Sequence, residues 1–83
     1  MNETWEPKEG RRAWKTLNGG FGTTSHVDQT GGWYRVADMQ ALTGNSEIGR
    51  QLRRLKARHP DRILERWRMN SRGGRYKEWK RRA

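Results

Sequence analysis

Apolar positions recur along this chain with two different periods. In residues 45–58, Ile48, Leu52 and Leu55 fall at i, i+4 and i+7, which is one stripe of an amphipathic helix. Asn45 and Ser46 stand before the stripe with side-chain oxygens suited to capping a helix start. Pro60 lies just past Arg58 and His59 and forces the helix to end there. Upstream, Val36, Met39 and Leu42 at i, i+3 and i+6 predict a shorter helix that Gly44 stops, with Trp33 and Tyr34 as an extended lead-in. Ala13, Trp14 and Leu17 mark a first helix within PKEGRRAWKTL, opened by Pro7, weakened by Gly10 and ended by the Asn-Gly-Gly of residues 18–20. After Pro60 the period shortens. ILERWRMN reads as a strand with Ile63, Trp67 and Met69 on one face, Glu65 being the exception, and RYKEWKR reads as its return after a turn through Gly73 and Gly74.

Between the first two helices, residues 18–32 are dominated by Gly, Thr and Ser and read as a long loop, pinned to the core by Phe21 and Val27. They match neither nucleotide-binding glycine pattern. The domain plan is a flexible arm at residues 1–6, one domain at 7–81 and a basic tail at 82–83. With 30% hydrophobic residues in 83, the core is thin, and tryptophan supplies much of it. Trp14, Trp33, Trp67 and Trp79 are expected inside, and Trp5, in the arm, outside.

Charge changes the picture most. Residues 1–49 hold five basic and six acidic side chains, a net of −1; residues 50–83 hold fourteen basic and three acidic, a net of +11. Such asymmetry points to a polyanionic partner. The chain has no cysteine, so disulfides and thiolate metal sites are excluded, and a reducing, cytoplasmic setting is expected, nucleoid-associated in a bacterium or phage. His26 and His59 lack metal-ligand spacing, and neither a membrane-spanning run nor a signal-peptide h-region is expected. No cofactor is implied. Asp38, Glu47 and Glu65 form no acid–base pair, and a His26–Asp28 hydrogen bond within the loop would activate no nucleophile, so the reading is not an enzyme.

Two short helices joined by a glycine-containing turn carry the helix-turn-helix signature, and a basic hairpin follows at once. On VADMQALTG, NSEIGRQLRRLKAR and ILERWRMNSRGGRYKEWK the chain resembles the winged helix-turn-helix family, over roughly residues 33–81. It is also similar to small helix-turn-helix proteins of phages and other mobile elements. The resemblance implies an α+β domain, three helices followed by a β-hairpin wing. It also implies a recognition helix at 45–58 in the major groove and a wing on the backbone or minor groove. The family usually places its first helix close before the second, whereas here residues 18–32 intervene.

Helix geometry independently sets Ser46, Arg50, Arg53 and Ala57 opposite the apolar stripe, with Arg54 beside them. Arg50 and Arg53 suit guanine edges, Asn45 and Ser46 suit phosphate or adenine, and Lys56 and Arg58 on the flanks suit phosphate. Arg72 and Arg75 at the hairpin tip suit the minor groove or phosphate. Lys80, Arg81 and Arg82 read as a disordered basic end adding phosphate affinity. The expected partner is double-stranded DNA, bound by a small regulator or architectural factor, monomeric in isolation. Two other readings stay open: a phage-type inhibitor docking on a host nucleic-acid enzyme, and a structured-RNA binder using wing and tail.

Overall fold

The computed structural model describes residues 5–82 and divides them into four helices and three strands. α1 is Arg11–Leu17, α2 Ser25–Gln29, β1 Tyr34–Arg35, α3 Val36–Thr43, α4 Ile48–Arg58, β2 Ile63–Met69 and β3 Arg75–Arg81. The class is α+β, with one helix and one strand more than the hydrophobic pattern gives. α2 lies inside the expected loop. β1 turns the expected hairpin into a three-stranded antiparallel sheet of order β1-β3-β2, with Tyr34 opposite Trp79 and Arg35 opposite Glu78.

α1 begins later than Pro7. Gly10 takes a left-handed conformation at φ 73° as the residue before the helix, and its carbonyl accepts the Trp14 N–H at 3.0 Å. The chain can therefore turn into the helix only at Arg11. Gly10 also lies where α1 meets α4, and a Cβ there would stand 3.0 Å from Leu55 Cγ. Gly10→Ala combines left-handed strain with that crowding and is expected to lower unfolding free energy by about 1–2 kcal/mol, read in a urea melt.

α3 and α4 are joined by residues 44–47. Gly44, left-handed at φ 67°, ends α3, and its N–H donates to the Gln40 carbonyl at 2.7 Å. α4 starts at Ile48, three residues after the expected start, because Asn45 spends its side chain on a turn: its Oδ1 accepts the Glu47 N–H at 2.9 Å. Ser46 forms no cap. The α4 stripe lies in the core as the spacing requires, with Ile48, Leu52 and Leu55 all buried beside Ala13, Trp14, Leu17, Val27, Tyr34, Met39, Ile63 and Trp79. Val36 and Leu42 pack against this cluster half-buried.

Four tryptophan and loop assignments change. Trp5 belongs to the packed body: it meets Trp14 and His59 edge-on at centroid distances of 5.0 and 4.8 Å. Trp67 is 61% and Met69 67% exposed, so only Ile63 of the expected β2 face enters the core. Trp33 is half-buried, with the Arg66 guanidinium 4.2 Å from its ring. Phe21 stays exposed under Lys15, so of the two expected apolar anchors of residues 18–32 only Val27 enters the core. The basic end is ordered too. β3 runs through Arg81, which pairs with Ile63, and the Arg82 N–H donates to the Arg62 carbonyl at 3.0 Å. Residues 1–4 of the expected arm and Ala83 lie outside the described residues.

Candidate nucleic-acid interface

Burial of Ile48, Leu52 and Leu55 turns the opposite side of α4 outward, and Arg50, Arg53, Arg54, Ala57 and Arg58 are exposed there. These cations are not equivalent. Arg50 reaches Glu47 at 3.3 Å and Arg58 reaches Glu9 at 3.6 Å, whereas Arg53 and Arg54 have no carboxylate partner among the described residues. The two bound arginines sit in exposed pairs, which typically contribute little and open readily for a competing anion. Lys56 is used differently. Its Nζ donates to the carbonyls of Ile63 at 2.8 Å and Pro60 at 3.4 Å, tying the end of α4 to the start of β2. Asn45 and Ser46 occupy the turn before α4, where the Ser46 carbonyl accepts from Gln40 Nε2 at 3.5 Å.

The hairpin tip is a second basic site with a rigid turn. Asn70 Oδ1 accepts the N–H groups of Arg72 and Gly74 at 2.9 and 2.8 Å, and Gly73 is left-handed at φ 82°. Arg72 and Arg75 are exposed at this end. Lys80, Arg81 and Arg82 are not brought to it. Six residue steps along β3 separate Arg75 from Arg81, about 20 Å along a strand. Lys80 lies 6.0 Å from the Trp33 ring, and Arg81 lines a cleft of about 620 Å³ with Trp5, Arg11, Trp14 and Lys15.

Residues 18–32, whose role the sequence leaves open, form a strap tied to α3 and to the sheet. Thr24 accepts the Val27 N–H to cap α2, and its hydroxyl donates to Asp38 at 3.1 Å. Asp38, buried at the start of α3, also accepts the Arg35 N–H at 2.8 Å. His26 donates from Nε2 to Glu78 at 2.6 Å, and Arg66 donates from Nε to the other oxygen of the same carboxylate at 2.7 Å. Asp28, the expected partner of His26, instead accepts from the Thr23 hydroxyl at 2.9 Å. Glu78 is fully buried in β3. Burial alone pushes its carboxyl up, but the hydrogen bonds from Arg66 and His26, with their charges, outweigh that and hold it below its ordinary value.

Trp67, Met69, Arg68 and Lys77 are the surface residues that the sequence reading missed. The signal was Glu65. A carboxylate between Ile63 and Trp67 on one face of a strand marks the point where that face leaves the core. Among the described residues no helix is long and apolar enough to cross a membrane. No protein-family model, curated protein or solved structure matches the chain.

Proposed function

We propose that this chain is a duplex-DNA-binding protein of the winged helix-turn-helix type, acting as a small regulator or architectural factor of the kind phages encode. α3, the Gly44 turn and α4 form the helix-turn-helix, α4 docks in the major groove, and the β2–β3 hairpin is the wing on the backbone or minor groove. The observation that carries this reading is the free charge on α4: Arg53 and Arg54 stand unpaired among the described residues, opposite a buried Ile48–Leu52–Leu55 stripe. Arginine forks held on a rigid helix match guanine edges and phosphates alike. The element order also supports it, because a short strand precedes the helix pair and zips to the hairpin, so α4 and the wing are braced by one sheet.

The roles then divide. Arg50, Arg53 and Arg54 face the groove, and Arg58, Arg72 and Arg75 clamp phosphates. Lys56 braces the end of α4 against the start of β2. Lys80, Arg81 and Arg82 contribute to the field around the sheet base rather than to the wing tip. The test is selection from a random duplex pool at physiological salt. An enriched motif establishes sequence reading by α4. Retention without a motif establishes phosphate-driven architectural binding, and no retention removes duplex DNA as the partner.

A further inference from the structure

The outer half of the hairpin carries an apolar surface that none of the described residues covers. Trp67 and Met69 project from the same face of β2, and Met69 belongs to the last strand pair before the turn, opposite Arg75. The indole is held from the body side. Lys77, directly across from Trp67, lies between it and Trp79, 4.8 and 5.3 Å from the two rings, and is itself fixed by Glu65 at 3.1 Å. Arg75 stands 5.5 Å from the Trp67 ring. An indole fixed by such contacts has little rotamer freedom left to lose on binding.

Charge identifies the occupant. Arg72 and Arg75 are exposed beside the two apolar side chains, whereas Arg68 points to the opposite face of β2, toward Glu78. A second copy of this chain docking through the same face would bring the Arg72 and Arg75 cations of both copies together, so an isologous dimer is opposed by its own charge. A polyanion with flat apolar surfaces inside it satisfies both features, and a nucleic-acid base stack flanked by phosphates is such a surface.

We propose that this face distorts the duplex it touches: Met69 wedges at a base step, and Trp67 stacks on the base so exposed, while Arg72 and Arg75 hold the flanking phosphates. The proposal rests on the duplex-binding reading. It predicts a bend in bound DNA and a preference for duplexes already unstacked at one position, because part of the unstacking has then been done.

The experiment titrates end-labelled duplexes, one continuous and one with a single-nucleotide bulge, and reads affinity and end-to-end distance by energy transfer. The wild-type chain is expected to bind the bulged duplex about tenfold more tightly and to shorten both duplexes. Trp67→Ala loses the preference and most of the shortening, yet binds the continuous duplex within about threefold of wild type. Trp67→Phe keeps the preference, and Met69→Ala reduces the shortening. Thermal melts confirm that these exposed-site variants fold. Arg53→Ala with Arg54→Ala weakens both duplexes alike and leaves their ratio unchanged. A wild-type chain that binds both duplexes equally and bends neither overturns the wedge and leaves duplex binding standing, as does a Trp67→Ala variant that keeps the preference and the bend. Failure to bind either duplex overturns both readings. Trp67-dependent capture by polyglutamate without duplex binding reassigns the face to an acidic protein.

Discussion

Replacing Arg53 and Arg54 together by alanine lowers affinity for the selected duplex by about a hundredfold at ~0.15 M salt. The size follows from two side chains whose cations no carboxylate neutralises among the described residues, so neither has a competing partner to give up on binding. Arg50→Ala has a smaller effect, because its exposed pair with Glu47 is exchanged for the DNA contact. Lysine at both positions separates the two ways of acting. It keeps the charge but not the planar fork, so phosphate-driven affinity returns while base preference does not. The check is a filter-binding titration of wild type, the alanine pair and the lysine pair against the selected duplex and a scrambled one. Equal losses on both duplexes mean that the two arginines hold phosphate alone, and a loss below threefold removes α4 from the interface.

The α4 stripe was legible in the sequence because its period is local: Ile48, Leu52 and Leu55 share a face in any helix, and the exposed arginines follow. The Gly44 turn was legible for the same reason. Features made by distant pairs were not. β1 is two residues long and exists only because Trp79 and Glu78 lie opposite it. α2 is a five-residue helix held by Val27 in the core and by a His26–Glu78 bond that spans 52 positions. No window of sequence contains both ends of either contact. Trp67 failed for a different reason. Aromatic residues in strands usually fill cores, but β2 outruns the core after Leu64, and alternation then labels a face without saying whether anything covers it. The basic end failed because strand pairing of Arg81 with Ile63 outweighed its charge run.

Glu78→Ala lowers unfolding free energy by about 2–3 kcal/mol at neutral pH, a large share of the roughly 4–12 kcal/mol expected of a domain this size. The carboxylate joins three elements. It accepts from His26 on α2 at 2.6 Å and from Arg66 on β2 at 2.7 Å, with Arg68 Nε 3.9 Å away, while its own strand pairs with β1. The loss stays below that of a fully interior ion pair because the His26 and Arg66 side chains are 22% and 32% exposed and regain water when the carboxylate goes. Because the folded state holds this carboxyl below its ordinary value, the unfolded chain takes up the proton first as the solution is acidified. The stabilisation is therefore complete above the ordinary glutamate range and is lost as pH falls through the lowered folded value. Urea melts from neutral pH into acid should show the wild-type and Glu78→Ala stabilities converging, whereas a constant gap would mean that Glu78 acts through packing alone. His26→Ala isolates the strap: amide exchange speeds up in α2 and leaves the β2–β3 pairing protected, because Arg66 still satisfies the buried carboxylate. Exchange rising across both would mean that α2 and the sheet open as one unit, so that residues 18–32 hold the hairpin against the body rather than merely bridging the first two helices of the sequence pattern.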